Sequence, residues 1–203
     1  MRALIAGLAL CALPVAAPAA VVLEDDFNDG DYSDWTLEAV TLAPGLTTQV
    51  AGASSPAIDG LALELSLLKT PGTGDNIGPV FRLMRVFEVT DAVEHFFSVF
   101  AGNTVCSGCT VSYDVTIDGV LMTRAQDASP FTEAAFSLGV LGAGTHTVGL
   151  GVYSTNVSSG KFAAYFDDLS VTNAIASDVP LPAAAPLLAV GALALAGLGR
   201  RKG

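Results

Sequence analysis

The sequence predicts an all-β fold, a jelly-roll sandwich of two antiparallel sheets. Residues 111–117 alternate between apolar side chains and Ser, Asp or Thr, and a period of two is typical of strands. Asp118-Gly119 follows directly and predicts a tight hairpin turn. Residues 21–173 show no helical periodicity, so about nine to eleven short strands in two packed sheets fit the chain best.

Further strands are predicted along the chain in the same way. Every second residue of 61–67 is a leucine, which predicts a strand with one buried face. Clusters of Gly, Ser, Asp and Pro at 69–79 and 154–160 separate strands from one another. The other candidate strands are 21–27, 81–89, 95–101, 120–124, 131–140, 145–153 and 163–172. We assign residues 20–176 to one domain, which is long enough to enclose a hydrophobic core.

The last predicted strand contains a change of phase. Leu169 and Val171 share one face by alternation, whereas Phe166 would point the other way together with Asp168. A phenylalanine facing solvent is unfavourable, so we expect a β-bulge at Asp167-Asp168 that resets the alternation. In a jelly roll the first and last strands often lie side by side, which would bring the two ends of the domain together.

Two acidic segments would then meet, EDDFNDGD at 24–31 and the pair Asp167-Asp168. Carboxylates held close together repel one another, and a Ca²⁺ ion bound by several oxygens would relieve that repulsion. The segment from Asp26 is not an EF-hand loop, because Gly30 stands one position early and no Glu occupies the twelfth position. The alternative role of these acids is to form turns and solvated strand ends.

Four motifs of the domain are similar to those of a known fold family. DDFNDG with a following Trp, YDVTIDG, LGAGTHTVGLGVY and YFDDLSVT together resemble a galactose-binding-like or carbohydrate-binding-module jelly roll. The resemblance implies a structural Ca²⁺ held by Asp25, Asp26 and Asn28 from the start of the domain and by Asp168 from its end.

The same resemblance implies sugar binding through exposed aromatic side chains, which stack on sugar faces beside polar groups. The candidates here are Trp35, Tyr153 and Tyr32. Modules of this kind usually bury the tryptophan that follows the first turn, so burial is the alternative for Trp35.

The first nineteen residues have the three parts of an export signal. Met1-Arg2 gives a positive start, residues 3–13 are apolar, and Ala17-Pro18-Ala19 is a small-residue cleavage site. We predict export through the Sec translocon and cleavage after Ala19, with Ala20 as the close alternative.

Residues 177–203 are predicted as a hydrophobic sorting segment outside the domain. Residues 179–199 carry no charge, and Arg200, Arg201 and Lys202 follow them. Prolines interrupt the first third of this run, so its helical part is 187–199, about 20 Å long and shorter than the bilayer core. This length predicts a marginal and temporary anchor. A buried core helix is the alternative, but it would show a polar face that this run lacks.

The start of this segment carries a specific motif, formed by Val179, Pro180, Leu181, Pro182 and Ala183. With the apolar run and the basic end, it resembles the VPLPA-type sorting signal, a variant of the PEP-CTERM signals of Gram-negative bacteria. The resemblance implies recognition and cleavage by an exosortase. It implies a transient anchor in the inner membrane, followed by a location at the cell surface or outside the cell, in association with extracellular polysaccharide and biofilm matrix.

The charge of the domain excludes one class of partner. Residues 20–178 contain all twenty acids and five of the nine bases, which gives them a charge of −15. Nucleic acid is therefore not an expected partner, because binding phosphates needs clustered Lys and Arg. Divalent cations and neutral polymers remain compatible with this charge, which also favours solubility outside the cell.

Two cysteines, Cys106 and Cys109, lie in the loop-like segment VCSGC. In an oxidising compartment they predict a local disulfide that fixes a turn. A thioredoxin-like redox pair would need a helix after the first cysteine, and a zinc site would need further ligands at matching spacing.

Three functions are compatible with these features. The leading one is a non-catalytic matrix protein that binds extracellular polysaccharide. The second is a structural or adhesion protein without a glycan site. The third is a polysaccharide hydrolase, which is disfavoured because neither the E-x-D-x-x-E strand motif of jelly-roll glucanases nor a G-x-S-x-G elbow occurs.

Overall fold

Antiparallel strands form all the regular secondary structure of the described residues. The computed structural model describes residues 19–39, 46–69, 77–104, 110–126, 131–155 and 160–173. The strands are β1 (Ala20–Asp25), β2 (Thr36–Ala39), β3 (Leu46–Ala53), β4 (Ala62–Lys69), β5 (Ile77–Val89), β6 (Glu94–Asn103), β7 (Thr110–Ile117), β8 (Val120–Gln126), β9 (Thr132–Val140), β10 (Gly144–Thr155) and β11 (Gly160–Asn173).

These strands form two sheets with one core between them. Sheet A has six strands in the order β3-β4-β11-β6-β9, with β1 also paired to β11, and sheet B has five in the order β2-β5-β10-β7-β8. Apolar side chains from both sheets fill the core, and Phe27, Phe81, Phe97 and Phe166 are among its largest fully buried members. The predicted all-β sandwich of two antiparallel sheets is therefore confirmed.

The alternation in β7 places its apolar side chains in the core. Val111, Tyr113, Val115 and Ile117 are all buried there. Strand β7 then turns at Asp118-Gly119 into β8, as the sequence predicts. Both turn residues have positive φ, 50° and 76°, which is the backbone that an Asp-Gly hairpin turn requires.

Strand β4 differs from the prediction of one buried face. Its alternate residues Ala62, Glu64 and Ser66 are at most 6% exposed, as are the leucines between them. Strand β4 lies between β3 and β11 in the sheet, and Lys161 on β11 forms an ion pair with the buried Glu64. Two further strands are not predicted from the sequence: β2, which has only four residues, and β3, whose eight residues include few large apolar side chains.

Strand β11 carries the predicted bulge. The register between β11 and β6 shifts between Asp167 and Ser170, and Asp168 has a φ of 46°. Phe166, Leu169 and Val171 are consequently all fully buried on the core side. The first and last strands are neighbours, as expected, because β1 pairs with the C-terminal half of β11.

Several predicted features lie outside the described residues. These are the body of the signal peptide, residues 1–18, the cysteines Cys106 and Cys109, and the sorting segment with its motif 179–183. The part of the chain that the structure describes contains no helix with the length and apolarity to cross a bilayer. Residues Ala19–Ala174 form one compact unit through their mutual contacts.

Candidate functional site

The bulge in β11 gathers acidic side chains at one end of sheet A. We call this group the acidic end: Glu24, Asp26, Asp59, Asp167 and Asp168. The carboxylate of Asp167 is fully buried and accepts hydrogen bonds from the backbone N–H groups of Ile58, at 2.7 Å, and Asp168, at 2.9 Å. The bulge therefore ties the loop before β4 to the last strand.

Negative charge accumulates at the acidic end. Burial raises the pKa of the Asp168 carboxyl, and the nearby charges of Asp59, Asp26 and Glu24 raise that pKa further. Burial also raises the pKa of Asp167, although the N–H groups that bind it oppose the change. Repulsion of this kind is what a bound cation relieves.

The four residues predicted as calcium ligands have different environments. Asp25 accepts a hydrogen bond from the indole N–H of Trp35 at 2.8 Å and forms an ion pair with Arg85. Asn28 accepts from the N–H of Leu61 at 2.7 Å through its side-chain oxygen. The Asn28 side-chain N–H also donates to Asp59 at 2.8 Å, so Asn28 lies beside the acidic end.

Asp26 and Asp168 are the two predicted ligands whose charges the fold brings together. The charge of Asp59 lies near them as well. Asp59 is not predicted as a site residue from the sequence, because Asp59-Gly60 indicates only a turn. Among the described residues, no three acidic, histidine or cysteine side chains are arranged closely enough to hold a metal ion. The oxygen chemistry of the acidic end suits Ca²⁺, whereas the carboxylate of Asp25 is already paired with Arg85.

Two of the three predicted sugar-binding aromatics are packed into the body of the protein. Trp35 is 6% exposed, and its ring centroid lies 5.8 Å from that of Phe27 and 5.9 Å from the Arg85 guanidinium. Its alternative role, burial, is the observed one, so Trp35 has no ring face for a sugar. Tyr32 is half-buried and packs against the core.

Tyr153 instead lies on the face of sheet B that points away from the core. A row of residues crosses this face from strand to strand. The backbone register places Glu38 opposite Arg82, Arg82 opposite Gly151, Gly151 opposite Asp114, and Asp114 opposite Arg124. We call these five residues the charged row, and it spans about 19 Å at the usual spacing between strands.

Asp114 is the centre of the charged row, and its side chain is 1% exposed. The Arg124 guanidinium donates to both carboxylate oxygens, at 2.6 and 2.7 Å, and these bonds raise the pKa of Arg124. Arg124 also lies 3.8 Å above the ring centroid of Tyr153. A bidentate ion pair stacked on an aromatic ring is rigid, because both groups fix the plane of the guanidinium.

Gly151 allows the two arginines to share Asp114. Arg82 and Asp114 lie two strands apart, yet their side chains approach to 3.5 Å over the glycine. A Cβ atom at Gly151 would lie 2.7 Å from Cγ of Arg82, closer than non-bonded carbon atoms approach. The sequence shows this glycine only as part of GLGVY, with no sign that side chains from two neighbouring strands meet above it.

Two polar atoms on this face have no hydrogen-bond partner among the described residues. They are Nε of Arg82 and Oγ1 of Thr116, and both are buried. Unpaired buried polar groups are unfavourable in a folded protein unless water or a ligand satisfies them. The charged row therefore combines fixed, planar hydrogen-bonding groups with unsatisfied ones, and both kinds can bind a polar ligand.

The two histidines have structural roles. The His95 ring is buried and contacts the carbonyl of Val93 at 2.7 Å. His146 lies between the Asp118 carboxylate, 2.7 Å from Nδ1, and the Gly142 carbonyl, 2.8 Å from Nε2. Both neighbours of His146 are acceptors, so only the protonated ring donates to both, and these bonds raise the pKa of His146 above 6.5.

This arrangement predicts a pH dependence of stability. A histidine with a raised pKa stabilises the fold fully below its unfolded pKa of about 6.5 and loses that contribution as the pH rises through the folded pKa. We expect the melting temperature to fall over this window above pH 6.5 and His146→Gln to remove that fall. Calorimetry across the pH range measures it, and an identical fall in His146→Gln would contradict the assignment.

No protein-family model matches the chain, and no curated protein matches it significantly in sequence. Solved structures do resemble it. The K3 cleaved adhesin domain of Lys-gingipain from Porphyromonas gingivalis has a TM-score of 0.51 at 13% identity, over 76% of this chain and 100% of that domain. At this identity the similarity concerns the fold alone.

Several similar structures are carbohydrate-binding modules with jelly-roll folds. The CBM22-1 xylan-binding domain from Paenibacillus barcinonensis Xyn10C has a TM-score of 0.49 at 12% identity, over 79% of this chain and 98% of that domain. The C-terminal family 22 module of Clostridium thermocellum Xyn10B has a TM-score of 0.48 at 14% identity, over 76% of this chain and 95% of the module.

Proposed function

We propose that this chain is a non-catalytic polysaccharide-binding protein of the extracellular matrix and that the charged row is its binding surface. The observation that carries the proposal is the bidentate Arg124–Asp114 pair, stacked on Tyr153 and continued by Arg82 across Gly151. Sugar hydroxyls donate and accept hydrogen bonds, so fixed planar groups of both kinds match them. Strands of a sheet hold such groups more rigidly than loops.

The location follows from the two ends of the sequence. A signal with cleavage after Ala19 and the VPLPA-like motif at 179–183 support export, transient anchoring in the inner membrane and processing by an exosortase. The mature domain then acts at the cell surface or outside the cell.

Removing residues 179–203 is expected to change where the protein accumulates in the producing bacterium, because the proposed exosortase substrate motif and anchor are lost. Immunoblots of membrane, surface and medium fractions measure this, and replacing Arg200 by Lys, which keeps the basic end, is the control. An unchanged distribution of the truncated chain would contradict exosortase sorting.

Polysaccharide binding is tested with the full-length chain, purified in mild detergent, by affinity electrophoresis on neutral and acidic polysaccharides, including those of the producing bacterium. We expect retardation on at least one polymer. Gly151→Ala keeps every charge but displaces Arg82, and it should weaken binding at least about tenfold, the effect of about 1.4 kcal/mol.

Gly142→Ala is the matched control, because a Cβ atom at Gly142 would meet no other atom within 4 Å. Melting curves of both variants establish that they are folded. Binding that is equal in Gly151→Ala and the parent chain would place the site elsewhere, and binding to no polymer would contradict the proposed function.

We also propose a structural Ca²⁺ at the acidic end. Asp26, Asp59 and Asp168 would hold it, and their side chains would draw closer together around the ion than they lie without it. When bound, Ca²⁺ would neutralise carboxylates whose mutual repulsion raises the pKa of Asp168. Support comes from this accumulation of charge beside the bulge and from the resemblance of the sequence motifs.

Calcium is expected to raise the melting temperature of the full-length chain and EDTA to lower it, because an ion that binds only the folded state stabilises it. Asp168→Asn should reduce the shift, whereas Asp91→Asn, an exposed acid on the loop after β5, should leave it intact. A melting temperature that responds to neither Ca²⁺ nor EDTA would contradict the calcium site.

A protein-contact role is the second candidate, and a specific surface favours it. A shallow groove of about 320 Å³ on sheet A is lined by Phe96, Phe97, Ala135 and Phe136 among others. Phe96 is 41% exposed there, and an exposed apolar groove of this kind can bind another protein surface. Sedimentation velocity distinguishes this role, since a chain that associates through Phe96 becomes monomeric in Phe96→Ser.

A further inference from the structure

The charged row holds a large share of the positive charge of an acidic domain. Residues 20–178 contain five basic side chains against twenty acids, and Arg82 and Arg124 both lie in this row. Charges farther than about 10 Å away are screened at ordinary salt concentrations. Within the row, Arg82 and Arg124 balance Glu38 and Asp114, so a ligand that displaces Glu38 meets a local positive charge.

The two arginines are not equally neutralised. Arg124 takes both oxygens of Asp114 in short hydrogen bonds, at 2.6 and 2.7 Å. Arg82 reaches the same carboxylate only at 3.5 Å, which is too long for a strong hydrogen bond, and its Nε has no partner among the described residues. Arg82 is thus a largely buried cation whose two carboxylate partners, Asp114 at 3.5 Å and Glu38 at 3.4 Å, both lie at long distance.

The second partner of Arg82 is Glu38, and the ion pair between them is weak. Glu38 contacts Nη1 of Arg82 at 3.4 Å, and its side chain is 47% exposed. It projects from β2, a strand of four residues at the edge of sheet B. An exposed ion pair of this length contributes little stability, so another carboxylate can replace Glu38 at small cost.

We propose that the natural ligand of the charged row is a carboxylate-bearing polysaccharide, a polyuronate. Arg82 binds its carboxylate in the place that Glu38 occupies, because a planar carboxylate matches the guanidinium fork. Glu38 is a built-in competitor that lowers the affinity. The Arg124–Tyr153 stack binds the sugar ring and its hydroxyls. This inference rests on the proposed polysaccharide binding at the same surface.

The test compares two forms of one polymer, polygalacturonate and its methyl ester, which share a sugar backbone and differ in the free carboxylate. The full-length chain in mild detergent is titrated with each in affinity electrophoresis. We expect binding to polygalacturonate at least about tenfold tighter than to the ester. Arg82→Met should reduce the affinity for polygalacturonate to that for the ester.

Glu38→Gln tests the competition directly and keeps the size of the side chain. It should increase the affinity for polygalacturonate about two- to fivefold, the range expected for removing one exposed ion pair. Glu88→Gln is the matched control. Glu88 points from the same face of β5 six residues further on, about 20 Å from Arg82, so its loss should leave the affinity unchanged.

The outcomes separate this inference from the proposed function. Equal binding to both polymers that is lost in Gly151→Ala supports polysaccharide binding and overturns the preference for carboxylates. Polygalacturonate binding that is unchanged in Arg82→Met and Glu38→Gln overturns the assigned residues. An equal gain in Glu38→Gln and Glu88→Gln shows only a general charge effect and overturns the competition. Binding to neither polymer counts against the polyuronate ligand.

Discussion

The pairing of β11 with three other strands is the constraint on which the rest of the structure depends. Strands β4 and β1 pair with its N-terminal and C-terminal halves, and β6 pairs along both. The bulge at Asp167-Asp168 makes this possible, because it changes the phase of the strand and keeps Phe166 and Leu169 both in the core. The same bulge places the two carboxylates beside the loop before β4. It therefore shapes both the core and the acidic end.

Sheet B carries charged side chains on interior strands, where they have to be paired. Asp114 lies on β7 between two strands and is removed from water, which is unfavourable for a carboxylate unless it is paired. Arg124 supplies that pairing from β8, and Gly151 leaves room for Arg82 to reach over β10. The result is a fixed polar surface whose charges are close to balanced, with one arginine less fully paired than the other.

Much of the fold is predictable from local patterns, since strand alternation and turn residues act over a few positions. The hairpin at Asp118-Gly119 and the bulge at Asp167-Asp168 both follow from neighbouring residues alone. The burial of Glu64 on the outer face of β4 is not predictable in this way, because its ion-pair partner Lys161 belongs to a strand almost one hundred residues later. The same holds for the candidate sites. The acidic motifs of the sequence predict Asp26 and Asp168 as site residues, whereas Asp59 and Arg82 are recognised only from the residues that lie next to them in the fold.

The sequence by itself determined the all-β class, the bulge at Asp167-Asp168 and the strongly acidic character of the domain. These features depend on periodicity, composition and local geometry, which a chain carries before it folds. Only the tertiary structure decided that Trp35 belongs to the core, that Asp25 pairs with Arg85, and that a charged row crosses sheet B. Such contacts join residues from strands far apart in sequence, and the sheet register that aligns them is set by the packing of the whole domain.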